Sequence, residues 1–422
     1  MNERLIEKEN KQFMIHQLLK NHPTVISIGA NIPGHDKNIS EAHLLMRLFI
    51  HVVKDTITTT SIETFSSSDG PYALLTTLHT NVNELKQRLI SIEDSHPLGR
   101  LIDLDLYQHG MQSSISRTEI NFPSRKCMIC NDDFNVCRRL QRHSVAELLT
   151  HIKDEVEHYL ETVIGVMIED SMTAELDLEH KFGLVTKKSQ GSHHDMDYQL
   201  MIEARDVLIP HFIKIFMLGY HATSIKNLLS AARPLGIEAE HQMLQSTHGV
   251  NCYKGLIFVL GLILLSTGYV MSHGEPFETI FDHIRVMSKP LLHELHQGHD
   301  THGKQMFKTY GSLGVRGEAH MGFPSVIHAL SILNHENMSD GLIRHVLKEI
   351  ALKTDDTVLL HRSGSIEQAQ FFKDMLFHSN VKDEEVAQKL TSYAISKSIS
   401  LGGSADLLIG SLFLHQVRSL IL

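Results

Sequence analysis

Cysteine is scarce in this chain of 422 residues: there are four, three of them clustered at positions 127, 130 and 137. Too few exist for a disulfide framework, so packing must hold the core. Positive charge is also short, with a formal net charge of −10 when histidines are neutral. That argues against a general nucleic-acid binder, whose affinity rests on neutralising phosphates. An anionic ligand would have to be met by local lysines and arginines. The start of the chain, MNERLIEKENKQF, lacks the apolar core of a secretory leader. Export is not expected, and a cytoplasmic location is. Repeats, low-complexity tracts and a Pro/Gly/Ser linker are all absent. One long uncharged run extends from Gly255 to Gly274, and its most apolar part, Leu256 to Met271, is shorter than the ~20 residues that cross a bilayer. We read it as a buried central helix, with no membrane partner expected. The 31 histidines are scattered and carry little information by number.

What is present begins with mixed signals. Thr24 to Gly29 reads as a short strand leading into a Pro33-Gly34 turn with Lys37 beyond it. A helix (Ser40 to Val52), strand (Asp55 to Phe65), strand (Tyr72 to Leu78) and helix (Val82 to Glu93) are predicted next, giving an α+β segment. In GRLIDLDLY, strict alternation predicts a strand over Gly99 to Tyr107, with Ile102, Leu104 and Leu106 on one face and Asp103, Asp105 and Tyr107 on the other. Two carboxylates on one strand face can share a divalent cation such as Mg2+. Next comes RKCMICNDDFNVCRRLQRHS, in which Cys127, Cys130, Cys137 and His143 could ligate a metal. The spacings match no standard finger, so reduced structural cysteines are the expectation and zinc the alternative.

Ser144 and Glu147 form a capping-box pattern ahead of Leu148, Ile152, Val156, Leu160 and Ile164 at helical spacing. The charged stretch Lys153 to Glu157 is the expected boundary, which divides the chain into an α+β domain over residues 1–153 and a larger all-α domain over 154–422. Helical periodicity dominates the second part, with glycine-rich breaks expected to converge on one site. RPLGIEAEHQMLQSTHGVNCYKG, from Arg233 to Gly255, reads as a Pro-Gly turn, a helix over Ile237 to Thr247 and a glycine-bounded loop ending in Lys254. Such a loop suits a phosphate. That helix would place Glu238 and Gln242 on one face and Glu240 elsewhere. Asp195 and Asp197 in GSHHDMD could bind magnesium or cap a helix. Arg316 in VRGEAHMGFP can grip a phosphate, and Gly402-Gly403 could open a helix N-terminus toward an anion.

Four blocks in order, GSHHDMD, RPLGIEAE with GVNCYKG, YGSLGVRGEAHMGFP and LGGSADLL, resemble the triphosphoribosyl-dephospho-coenzyme A synthases. In the first part, NIPG with Lys37, HPLGRLIDLDLY and the cysteine segment resemble the phosphoribosyl-dephospho-coenzyme A transferases that complete the acyl carrier subunit of citrate lyase. Departures are Phe182, Cys252, Tyr253, Val358 and Ser363 in the second part and the GHDK turn in the first.

The resemblance implies a bifunctional transferase of the nucleotidyltransferase type. ATP and 3'-dephospho-coenzyme A would give the 2'-(5''-triphosphoribosyl) adduct and adenine. A serine of the apo acyl carrier subunit would then take the phosphoribosyl-dephospho-coenzyme A group, releasing diphosphate. It implies catalytic roles for Glu238, Glu240, Glu318, Asp103 and Asp105, and Mg2+ on Asp103, Asp105, Asp195 and Asp197. Substrate contacts would come from Lys37, Arg100, Arg125, Arg138, His143, Lys181, His193, Asn251, Lys254, Arg316 and Arg362. A non-catalytic carrier-binding protein and a nucleoside hydrolase are the alternatives; adenine release, and its dependence on dephospho-coenzyme A, separates the three.

Overall fold

The computed structural model describes residues 2–130, 132–294 and 302–421. Two compact units are present, one built on the chain up to Thr162 and the other on Val163 to Met271 with Glu275 to Arg418. The first contains α1 (Asn2–Leu19), β1 (Thr24–Ala30), α2 (Ser40–Thr56), β2 (Ser61–Phe65), β3 (Tyr72–Thr77), α3 (Val82–Ser95), β4 (Ile102–Gln108) and α4 (Phe134–Arg139). The strands form one antiparallel sheet in the order β2-β3-β1-β4. The strand predicted from Asp55 begins only at Ser61, because Leu45, Phe49 and Val53 continue the buried stripe of α2 to its last turn. Likewise Gly99 to Leu101 form a 3-10 turn, and the strand begins at Ile102.

Pairing sets Gly29 opposite Asp103 and Ser27 opposite Asp105. Alternation in β4 holds for Ile102, Leu104 and Leu106, which are fully buried, but Tyr107 on the aspartate face is also buried. The reason is α1, whose Ile15 and Leu19 pack with Val25, Leu74 and Tyr107 over that end of the sheet. As an edge strand, β4 has backbone groups that a neighbouring chain could pair with. Side chains cover them: the Leu104 N–H donates to Glu93 (2.8 Å), and Lys86 and Arg125 donate to the carbonyls of Leu104 (3.0 Å) and Ile102 (3.1 Å).

The chain leaves this unit within α5 (Val145–Asp177), so Lys153 to Glu157 lie inside a helix. The capping box at its start forms as expected, with the Ser144 N–H donating to Glu147 (2.7 Å) and the Glu147 N–H to the Ser144 hydroxyl (3.2 Å). Ile152, Val156, Leu160 and Ile164 are buried along one stripe. The rest is helical: α6 (Tyr198–Tyr220), α7 (Leu228–Ser246), α8 (Lys254–His273), α9 (Thr279–Glu294), α10 (His302–Tyr310) and α11 (Gly314–His320) come first. They are followed by α12 (Pro324–Leu333), α13 (Asp340–Lys353), α14 (Thr357–Ser363), α15 (Ile366–Phe377), α16 (Glu384–Ser396) and α17 (Gly402–Ile421). An N-terminal α+β unit followed by a larger helical one is the fold class read from the sequence.

At the centre lies α8, long and apolar enough to cross a membrane by composition, yet 78% buried over its apolar window. It is closely approached by α6, where a Cβ on Gly219 would stand 2.2 Å from the Leu265 carbonyl oxygen. Three expectations about the central motif are corrected. Arg233 to Gly236 is not a turn but part of α7, which starts at Leu228 and takes Pro234 within it. The helix predicted from Ile237 therefore begins nine residues earlier, and Lys254 and Gly255 belong to the first turn of α8 rather than to a loop.

Candidate active sites

In the helical unit the motif blocks meet. One face of α7 presents Leu229, Arg233, Gly236, Ile237 and Glu240, a stripe in the i, i+4, i+7, i+8, i+11 pattern. With Asn251, Lys254, Phe258 and Leu262 on one side and Leu313, Arg316 and Thr357 on another, this stripe lines a cavity of 720 Å³. That volume lies in the range of small-molecule sites, about 300–1,000 Å³. The Lys254 ammonium meets the Glu240 carboxylate at 2.5 Å. Glu238 is not among the described residues lining the cavity; it lies about 200° around the helix from Glu240, exposed, and accepts from the Gln242 amide at 2.7 Å.

Beside the cavity, the GSHHDMD loop joins the blocks around Arg362 and Leu401. Arg362 donates to the Ser192 carbonyl (3.0 Å) and contacts His193 Nδ1 (2.9 Å), while His193 Nε2 contacts the Ser400 hydroxyl (3.1 Å). Burial, reinforced by the Arg362 guanidinium, pushes the His193 imidazole down to about 4, so it is neutral at neutral pH. Asp195 and Asp197 are exposed. Asp197, rather than Asp195, caps α6, accepting from the Leu200 N–H at 2.9 Å. Both face Cys252: burial and then these two carboxylates push its thiol up to about 12.

Several carboxylates are committed to the protein's own helix ends. Glu318, expected to be catalytic, is 5% exposed and accepts from the Ser325 N–H (3.2 Å) and hydroxyl (2.9 Å) at the start of α12. Burial raises its pKa. The opening of α17 at Gly402-Gly403 is filled by Asp356, whose Oδ2 accepts from the Ser404 N–H and hydroxyl, both at 2.8 Å. The other oxygen of Asp356 accepts from the N–H groups of Val358 and Leu359 in α14. Asp406 packs against the first turn of α8, where a Cβ on Gly255 would stand 2.0 Å from its Oδ2, so a larger residue there would have to displace this carboxyl. Burial, then the nearby Asp356 and Glu175, hold the Asp406 pKa well above the carboxylate range. Lys181, expected to meet substrate, is 1% exposed and donates to Glu175 (2.8 Å to Oε1, 2.6 Å to the carbonyl). It is a structural ion pair, whose breaking would cost about 3–5 kcal/mol.

The first unit has its own cavity, of 140 Å³, bounded by Gly29, Lys37, Asp69, Tyr72, Asp103 and Asp105, with Lys11 of α1 beside them. Lys37 pairs with Asp69 at 3.0 Å. Lys11 is held over the Tyr72 ring at 4.8 Å, and its pKa is lowered by burial against the opposing pull of Asp105 and Asp103. Nothing in the local sequence marks Lys11; only packing of α1 on the sheet brings it here. Arg125 spans Glu93, Asp103 and the Ile102 carbonyl, and Arg100 donates to the Lys126 carbonyl. Arg138 is exposed beside the Phe134 ring. His143 contacts Cys130, and the three cysteines and this histidine converge with ligand atoms all within 4.8 Å of one another. The three cysteines are free, and their convergence with His143 also makes them a candidate metal cluster, the alternative read from the sequence.

Each unit thus has a cavity that brings cations and carboxylates together, and similarity to known proteins makes the chain a transferase. Residues 1–159 match the family described as apo-citrate lyase phosphoribosyl-dephospho-CoA transferase, and residues 161–421 the family described as ATP:dephospho-CoA triphosphoribosyl transferase. Among relatives, "Protein CitXG" of Leuconostoc mesenteroides subsp. cremoris is 30% identical over 95% of this chain and 93% of its own length. "Protein CitXG" of Haemophilus influenzae is 28% identical over 81% and 78%. A probable 2-(5''-triphosphoribosyl)-3'-dephosphocoenzyme-A synthase 1 of Salmonella choleraesuis is 33% identical over 59% of this chain and 89% of its own. The chain belongs to the family that fuses these two transferases, and it synthesises and attaches the citrate lyase prosthetic group. Its substrates include ATP and dephospho-coenzyme A, and its protein partner is the apo acyl carrier subunit.

Proposed function

We propose that residues 154–422 make the triphosphoribosyl adduct in the larger cavity and that residues 1–153 attach it to the carrier at the smaller one. The observation that supports this most is the stripe of α7, which puts Arg233 and Glu240 into the lining of the same cavity as Lys254 and Arg316. In the first reaction the 2'-hydroxyl of dephospho-coenzyme A attacks the anomeric carbon of ATP's ribose. A C–O bond forms and the hydroxyl proton goes to a carboxylate, while the C–N bond breaks and adenine leaves with its electron pair, taking up a proton from solvent at that nitrogen. Glu240 takes that role here, close to the positive charge that builds on the ribose as the base leaves. Lys254, Arg316 and Arg233 receive the triphosphate, drawing Lys254 off Glu240 and freeing the carboxylate. Glu318, Lys181 and Arg362 hold the surrounding loops in register rather than touch substrate.

In the second reaction the carrier serine oxygen attacks the α-phosphorus and diphosphate leaves. Lys11 and Lys37 would face the phosphates, and Arg125 fixes the orientation of Asp103. The half-buried Asp103 and Asp105 in the first unit, and the exposed Asp195 and Asp197 in the second, present hard oxygens of the type that holds Mg2+ together with substrate phosphates. When bound, the ion would offset phosphate charge. The substrates, both intracellular nucleotides, support a cytoplasmic location. Adenine release from ATP is the test: it should require dephospho-coenzyme A, and release in its absence would replace this reading with a hydrolase.

A further inference from the structure

The segment 125–143 is poorly provided with a core. Among its described residues only Cys137 is buried, and its one helix, α4, has six residues. With so little apolar surface of its own the segment is held by polar contacts, and a metal staple of the kind that small folds use would add to them. Yet its backbone is closely specified. Lys126 and Asp133 form an antiparallel bridge, the Cys127 N–H donates to the Asp132 carbonyl (2.8 Å), and the Phe134 N–H donates to that of Arg125 (3.0 Å). Asp133 then caps α4, accepting from the N–H groups of Asn135 and Val136. This tight turn carries Cys127 and Cys130, α4 carries Cys137, and His143 follows.

We propose that Cys127, Cys130, Cys137 and His143 bind a structural zinc ion. Tetrahedral zinc with Zn–S near 2.3 Å separates its ligand atoms by about 3.8 Å. The corresponding distances are 3.5 Å between the sulfurs of Cys127 and Cys137 and 3.3 Å from His143 Nε2 to the Cys130 sulfur, with all four atoms within 4.8 Å. Three thiolates and an imidazole select zinc over magnesium or calcium, which take oxygen, and iron–sulfur clusters mostly require four thiolates. A Cys127–Cys137 disulfide needs sulfurs about 2.05 Å apart and would leave Cys130 and His143 without a task. Four ligands close the site, so the ion is structural and does no chemistry.

What it would hold is the arginine at the attachment site. The turn that bears the first two ligands begins at Arg125, whose guanidinium grips Asp103 and Glu93, and Arg100 binds the Lys126 carbonyl beside it. Zinc therefore acts on carrier labelling through Arg125, a consequence that rests on the division of labour proposed above; zinc binding itself does not.

The experiment measures metal in the full chain purified under reducing conditions, then follows Co2+ uptake by its thiolate charge-transfer bands. A single zinc per chain and thiolate-type Co2+ spectra are expected, both lost in Cys130→Ser and in His143→Asn. A far-ultraviolet circular dichroism spectrum matching the wild type shows that the sheet unit of these variants, on which adenine release does not report, is still folded. A wild-type chain that holds no zinc and takes up none on titration, or whose Co2+ spectrum lacks thiolate bands, would overturn the site. Chelation should also lower carrier labelling roughly tenfold, with zinc restoring it. A zinc-bearing chain whose labelling is indifferent to chelation would refute the role through Arg125 while leaving the site.

Discussion

At the scale of single residues, which way a side chain faces decides the chemistry more than its type does. Glu238 and Glu240 are two positions apart on α7, and only Glu240 lines the cavity with Lys254 and Arg316. Glu240→Gln should lower the rate of adenine release at least ~100-fold, the scale of a lost general base. Glu238→Gln should leave it unchanged, and steady-state assays of the two variants check this. His193 gives a pH signature. Its pKa falls from 6.5 to about 4 on folding, so between those values the unfolded chain binds more protons. Stability from this group is therefore complete above pH 6.5 and is lost as the pH falls toward 4. After discounting for partial solvent screening we expect about 1–2 kcal/mol. His193→Asn should flatten urea-unfolding stability between pH 7 and 5 relative to wild type.

Among elements, the recurring device is a carboxylate seated at a helix N-terminus, where unpaired N–H groups and the helix dipole favour negative charge. Asp356 serves two helices in this way, so Asp356→Ala should cost about 2–4 kcal/mol, read from the urea midpoint. This scale also shows what the sequence made legible. The capping box at Ser144, the strand alternation of β4 and the buried character of α8 depend on neighbours in sequence, and each was readable. Reading α7 from Ile237 failed because Pro234 looks like a stop, whereas α7 runs through it and bears the lost hydrogen bond and the crowding of the ring. Starting the helix late hid the stripe from Arg233 to Glu240 and made Glu238 look eligible. Lys11, Asp356 and Asp406 were beyond reach for another reason: each meets its site through elements far away in sequence. The cysteine segment lay between these cases, since its ligands were visible but their convergence depended on the bridge between Lys126 and Asp133.

Considered whole, the chain joins two sites whose reactions run in series, the product of one being the substrate of the other. Joining the two sites in one chain would raise the local concentration of the shared intermediate. The central claim is that adenine release belongs to the helical unit and carrier attachment to the sheet unit. The most direct measurement supplies Asp103→Asn with ATP, dephospho-coenzyme A and the apo carrier subunit, and follows free adenine and labelled carrier together. The expected result is adenine at the wild-type rate with no labelled carrier. Labelled carrier from that variant, or loss of adenine release along with the label, would contradict the assignment.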